Sequence, residues 1–382
     1  DNFIAGKNAG DAITSGGNEN TLVGNEAGTA LTTGDANVAV GFEALATEDA
    51  HGSNTAVGYR ALKTLNAGAE GSNTAVGKDA GLSLNTGTNN TLVGALAGDA
   101  LTTGFNNVAI GISALSAEDT GRKNVAVGKG ALAVQNSDAD NHNTAVGFEA
   151  GNSMTTGRFN NIVGSGASDA LTTGSSNIAI GYNALTADTQ GSNSVAVGDQ
   201  ALASQNFTSA ADSNNTAVGA LAGKGTTTGE QNTFLGALAG GDSTFTGDSN
   251  VLVGYAAGFN ITSGGNNICV GKQSGRAASP SGTITTGSDT ICLGDDNIND
   301  FFCNDTSISS SDSRDKADIA DFNIGLNWIK DLRPVTYKWD KRSWYGTDEE
   351  PYGTPDGSKK KSKVHIGFLA QEVLEIEKAN GF

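Results

Sequence analysis

The chain has 382 residues, of which 54 are Gly, 4 Pro and 1 Met, with 6% aromatic, so a core built on large side chains is excluded. Its hydrophobic content of 37% still exceeds that of a disordered chain, so many small apolar groups must be buried in a regular way. The formal net charge of −18 argues against nucleic acid as a partner, because phosphate binding needs clustered Lys and Arg.

Two regions differ in composition. Residues 311–382 hold all three Trp, three of the four Pro, and 12 Lys/Arg against 13 Asp/Glu, whereas residues 1–310 carry a net charge of −17 and 48 of the Gly. No run of about 18 apolar residues is present, so no membrane-spanning helix is expected. There is no signal peptide pattern, and the chain starts at Asp1 inside a repeat, so a missing N-terminal portion is expected.

The first region is a repeat built on Asn-x-x-Val-Gly, with its Gly at positions 6, 24, 41, 58, 77, 94, 111, 128, 147, 164, 181, 198, 219, 236, 254, 271 and 294. The base interval is 17 residues; intervals of 18 to 23 mark insertions, and Gly24 to Gly94 and Gly94 to Gly164 both span 70. The residue before each Gly is Val, Ile or Leu in sixteen of seventeen cases, and the residue four before it is Asn in fifteen. Ala stands three after the Gly in fifteen, and a second Gly lies seven residues before the first in many units. Each unit therefore reads as a short strand such as Asn37-Val38-Ala39-Val40, a Gly corner, a small-residue segment and a polar turn. Seventeen residues cannot bury a core alone, but stacked coils can.

The expected fold over residues 1–298 is thus mainly β, a 17-residue-repeat parallel β-solenoid of the β-roll kind with coils about 4.8 Å apart. Ala and Val are expected to fill a cross-section too narrow for aromatics, and the Asn column to form an amide ladder between coils. About seventeen coils at that rise give a rod near 80 Å long. Cys269 and Cys292 fall in one column of consecutive coils, where a buried thiol pair is expected rather than a disulfide. Asp295-Asp296 is acidic, but the nonapeptide calcium-binding repeat is absent, so no metal and no cofactor are expected. The loops read as breaking the 17-residue period, around Glu48 to Gly52, Leu65 to Gly71, Asp138 to Asn141 and Thr208 to Asn214, are expected either to contact a receptor or to be decoration.

The repeat resembles the head repeat of trimeric autotransporter adhesins, through phrases such as Asn177-Ile178-Ala179-Ile180-Gly181-Tyr182-Asn183-Ala184 and Asn124-Val125-Ala126-Val127-Gly128-Lys129-Gly130-Ala131. The resemblance covers roughly residues 1–298 and implies a homotrimer of β-rolls. Such an adhesin also needs a membrane barrel as anchor, which this sequence does not contain.

After Gly294 the repeat dies out, and residues 299–310 read as a stub and Ser-rich linker. Beyond it, Ile324 to Leu332 suit a short amphipathic helix closed by Pro334, Val335 to Trp339 alternate as a strand would, residues 340–363 form a polar loop, and Gln371 to Lys378 begin a helix. Three phrases in this order, Ser311-Asp312-Ser313-Arg314-Asp315-Lys316, Asn323 to Trp339, and His365-Ile366-Gly367-Phe368-Leu369-Ala370-Gln371-Glu372-Val373, resemble the self-cleaving intramolecular chaperone of endosialidase-type phage tailspikes and tail fibres. The resemblance covers residues 311–382 and implies a small α+β domain, shorter at its C-terminus than family members usually run. It implies a Ser311 nucleophile, a Lys316 general base and cleavage of the Ser310-Ser311 bond. A Ser hydroxyl does need an adjacent base, and a Lys can serve when burial lowers its pKa. Five extended residues separate the two groups by about 17 Å, so either the link folds back or a neighbouring chain supplies the Lys. His365 is an alternative base, more simply read as structural.

Together these readings imply a virion protein, a phage tail fibre acting outside the cell. It would be a homotrimer that contacts a host cell-surface receptor or glycan and other tail proteins, without membrane insertion. The only enzymatic activity expected is self-cleavage; the repeats hold no fixed pair of acidic residues in a shaped cleft, as a glycan hydrolase needs. A bacterial trimeric surface adhesin is the alternative.

Overall fold

The computed structural model describes residues 1–298, 331–338, 354–360, 362 and 364–379, and the chain divides into two compact units, Asp1–Phe301 and Phe302–Phe382. Among the described residues no helix is long and apolar enough to cross a membrane.

The first unit is a parallel β-solenoid. Seventeen three-residue strands, from Phe3–Ala5 to Ile291–Leu293, form one parallel sheet. Every strand pairs in register with its counterpart one coil on, as in Val38↔Thr55, Ala39↔Ala56 and Val40↔Val57. Insertions do not shift this register: Val195 still pairs Thr216 across a 21-residue interval, and Ile268 pairs Ile291 across 23. The extra residues leave the ladder as loops, because a slip of one residue would turn every buried side chain outward.

In every one of these solenoid strands after the first, only the middle residue is buried. Ala39, Leu92, Ala109, Ile162 and Phe234 are fully buried, whereas the flanking Val and Ile face out. This corrects the expectation that Val fills the interior. The interior is instead filled by complementary pairs. Where the strand centre is Leu, as at Leu22 and Leu92, the residue four after the corner is Gly28 or Gly98; where it is Ala, that residue is a buried Leu, as at Leu45 and Leu115, except in the coils of Ala75, Ala145 and Ala217, where it is Gly81, Gly151 and Gly223 packed against large side chains of the neighbouring coils. A Cβ on Gly98 would lie 2.8 Å from both Leu92 and Leu101 methyls, so no coil has room for two large side chains there. The same device admits aromatics, contrary to expectation. Phe234 and Phe245 are fully buried and meet edge to face at 5.3 Å, and Gly223 and Gly240 lie against the Phe234 ring where a Cβ would stand 2.7 and 2.4 Å away.

The corner glycine is dictated by two constraints at once. Gly94 has φ of 135°, and a Cβ on it would lie 2.5 Å from the Gly111 carbonyl oxygen of the next coil; only a residue without Cβ meets both. The turns also place non-glycine residues in the left-handed region, among them Glu43, Leu45 and Ala36. That conformation is costly for side chains with a Cβ, and the inter-coil backbone bonds that hold it, such as Glu43 N–H to Asn25 C=O at 3.0 Å and Leu45 N–H to Ala61 C=O at 3.0 Å, offset the cost.

The buried Asn column does more than bond to itself. Asn90 Oδ1 accepts the Asn107 backbone N–H at 3.0 Å and the Asn107 Nδ2 at 3.2 Å; Asn90 Nδ2 donates to Asn73 Oδ1 at 3.1 Å and to the Gly104 carbonyl at 2.9 Å. The ladder ties side chain to side chain and also saturates backbone groups at both ends of the strand. Cys269 and Cys292 pair in register, both buried and both free thiols, as expected; burial, with Cys292 beside it, pushes the Cys269 thiol up to about 12.

In the second unit Val335–Tyr337 pairs antiparallel with His365–Gly367, and the helix Ala370–Ala379 follows directly. The expected strand after Pro334 and the expected C-terminal helix are both present.

Candidate functional site

Ser310, Ser311 and Lys316, and the 299–310 linker, lie outside the described residues, so the dyad carried over by resemblance has no geometry to report. The framework downstream of it does. Arg333, just ahead of the strand, grips Glu372 in the first turn of the helix: Arg333 Nε donates to Glu372 Oε2 at 3.2 Å, and its Nη2 bonds Oε1. This two-pronged contact joins residues 39 apart in sequence, and the hydrogen bond with Glu372 raises the Arg333 pKa further. An open groove of about 380 Å³ runs between them, lined by Asp331, Arg333, Glu372, Glu375, Ile376 and Ala379. The unit also exposes Val364, Ile366, Phe368, Leu369 and Leu374, with Ile366 81% exposed.

The solenoid presents two further features. One is an outward apolar stripe: Ile110, Val146, Val163, Ile180, Leu235, Val270 and Leu293 occupy the same column, each about two-fifths exposed. The other is internal. The column seven after the corner Gly is filled by Leu31, Leu65, Leu84 and Leu101, yet at Glu48, Glu118 and Asp188 it holds a carboxylate with no exposure at all. These three stand 70 residues apart, each in the coil before an insertion. Each accepts the same two backbone N–H groups, three and nineteen residues on: Glu48 from His51 and Ala67 at 3.1 and 3.0 Å, Glu118 from Gly121 and Ser137 at 2.8 and 3.2 Å, Asp188 from Gly191 and Phe207 at 3.0 and 3.1 Å. The second donor opens the inserted loop, so the carboxylate satisfies an N–H that the departure from 17 residues leaves without its usual partner. Burial pushes the Glu118 carboxyl up to about 7, with these N–H groups opposing and Asp119 adding repulsion. Sequence reasoning missed this role; the 70-residue spacing of an acidic residue in a Leu column was the available signal.

The structure also revises the four turns. Glu48 to Gly52 is no insertion, since Gly41 to Gly58 spans 17, and its Glu48 and Gly52 are buried. The other three are anchored by buried Leu65 and Ala67, Asn141, and Ser213, and expose only tips such as Gly68 to Glu70, Asp138, and Thr208 to Ala210.

No curated protein matches the chain, and no solved structure does. Residues 311–381, the segment that carries the three phrases and the Arg333–Glu372 clasp, match the family described as chaperone of endosialidase.

Proposed function

We propose that the chain is a structural, host-attaching fibre of a phage tail, built as a homotrimer by a C-terminal chaperone that then cuts itself away. The observation that carries this reading is the match to chaperone of endosialidase directly after a seventeen-strand solenoid. Aligning three long parallel stacks is slow and non-local, and a terminal nucleus that sets their register answers that difficulty. Two unpartnered apolar surfaces, the stripe on the solenoid and the Ile366–Leu374 face of the chaperone unit, support self-association. Half-buried cation–aromatic pairs at the surface, Arg60 over Tyr59, Arg122 over Phe105 and Arg276 over Phe259 at 4.7 to 5.0 Å, support contact with host surface glycans or protein.

In the cleavage, Lys316 takes the proton of Ser311, whose Oγ attacks the Ser310 carbonyl carbon. The C–N bond breaks, the nitrogen takes up a proton, and water hydrolyses the resulting ester to leave a Ser310 carboxylate and a free Ser311 amine. The test is denaturing electrophoresis with native mass measurement. The parent should yield fragments of 310 and 72 residues and a trimeric mass, and Ser311→Ala a trimer of full-length chains. A variant cut like the parent sinks the dyad. The adhesin reading is favoured by the repeat phrases alone and requires an uncut chain.

A further inference from the structure

We propose that Glu48, Asp49 and His51 form a binding site for one divalent metal ion of the zinc type, a site independent of the attachment reading above. Their ligand atoms, one from each residue, all lie within 4.8 Å of one another. Glu48 is fully buried in the interior column, and the Nδ1 of His51 is buried too, without a hydrogen-bond partner among the described residues. Nδ1 stands 3.6 Å from Glu48 Oε1, too long for a hydrogen bond. It is close to the roughly 3.4 Å that separates two ligands bound at about 2.1 Å in a tetrahedral zinc site.

The position of the histidine is the second argument. His51 occupies the second glycine column, where Gly34, Gly104, Gly121 and Gly191 stand in other coils. At these glycines a side chain is excluded by contact, although Glu70, Asp140 and Asp212 hold the position in the coils with insertions: a Cβ on Gly104 would lie 2.5 Å from the Gly121 carbonyl, one on Gly121 2.3 Å from the Glu118 carboxyl carbon, and one on Gly191 2.2 Å from an Asp188 oxygen. At the first of the three buried carboxylates, and only there, the chain fits both the carboxylate and an imidazole. The backbone of His51 meanwhile keeps the glycine's duty, its carbonyl accepting Asn37 Nδ2 at 3.2 Å. A residue that keeps the structural bond and adds a buried, unsatisfied nitrogen beside a carboxylate is arranged for a ligand.

The donor set selects the ion. Two carboxylates and an imidazole suit zinc and its transition-metal neighbours, whereas calcium takes six to eight oxygens, which this turn does not gather. Glu48 arrives oriented, since its two oxygens already hold the His51 and Ala67 N–H groups, which is the support that outer hydrogen bonds give to metal-binding carboxylates.

The competing account is that His51 is protonated and merely pairs with Glu48. Isothermal titration of zinc chloride into the untagged full chain, stripped with chelator, separates the two. The expected result is one zinc per chain, weakened at least tenfold in His51→Gly. That variant restores the residue found elsewhere in this column, and an unchanged circular dichroism spectrum confirms its fold. Anomalous scattering at the zinc edge should then place the metal between Glu48 and His51. A parent chain that binds no zinc overturns the proposal, and so does a His51→Gly variant that binds it as the parent does, since the metal would then sit elsewhere.

Discussion

Asn90→Ala tests whether the amide ladder holds the solenoid together or merely decorates it. The change removes four hydrogen bonds: Nδ2 to Asn73 Oδ1 and to the Gly104 carbonyl, and Oδ1 from the Asn107 backbone N–H and Nδ2. All lie among side chains with 1% exposure or less. At about 1 kcal/mol net per bond, the loss is about 4 kcal/mol, and the Asn107 N–H left without acceptor adds to it. The damage should be local, because each coil touches only its neighbours. Hydrogen exchange read by mass spectrometry is therefore a better probe than a melting curve, which assumes a single cooperative transition. Protection should fall by two to three orders of magnitude in peptides spanning residues 73–107 and stay at parent levels in those spanning 180–260. Asn25→Ala, at an exposed position, is the control and should change nothing. Protection at Asn107 within tenfold of the parent would refute the argument, and the strand pairing alone would then carry the stack.

Gly94→Ala meets a φ of 135° and a carbonyl 2.5 Å from the new Cβ, so it should destabilise its coil by at least about 2 kcal/mol. Gly68→Ala, with nothing within 4 Å, should stay within about 0.5 kcal/mol by the same exchange measurement. Glu118 binds its proton more tightly folded than unfolded, so its ionised form is destabilising above pH 7, and stability should grow as pH falls from about 7 toward the ordinary 4.5. The full effect is on the order of 3 kcal/mol. Exchange protection of residues 118–146 should rise accordingly at acid pH, and Glu118→Gln, which keeps an oxygen for Gly121 and Ser137, should flatten that dependence. Val163→Lys with Ile180→Lys puts two charges on adjacent strands of the exposed stripe. The native mass should drop from trimer to single chains while the β-sheet circular dichroism persists; a trimer that survives places the association surface elsewhere.

The coil period, strand positions, Asn ladder and Gly corners were legible because each is a fixed column, and a column repeated seventeen times is hard to misread. What escaped was which side of the strand faces in. Val-Ala-Val alternates either way, and hydrophobicity alone points the two Val inward. Packing decides the other way, since the room around each strand centre admits Ala opposite Leu45, or Leu92 opposite Gly98, and two large Val side chains per coil would overfill it. The apolar face left outside is then available to other copies of the chain, which is why the inward Ala and the proposed trimer are linked rather than separate observations.

The insertions show the same limit from another side. Departures from 17 residues read naturally as outward loops free to vary, yet those in the coils from Gly58, Gly128 and Gly198 open on a backbone N–H that must be satisfied before the loop can leave the stack. Glu48, Glu118 and Asp188 do so from inside, in a column otherwise given to Leu, at the cost of burying a carboxylate. For the insertions in the 19- and 21-residue intervals the preceding coil supplies the acceptor, whereas the 23-residue interval from Gly271 follows a coil with the buried Ile261 in that column. Replacing Leu101 by Glu should not by itself destabilise beyond an ordinary buried charge, but a two-residue insertion after Gly111 should be accepted only with it. If the insertion is equally well folded with Leu101 retained, as judged by exchange protection of the flanking strands, the buried carboxylates are not what permits the loops.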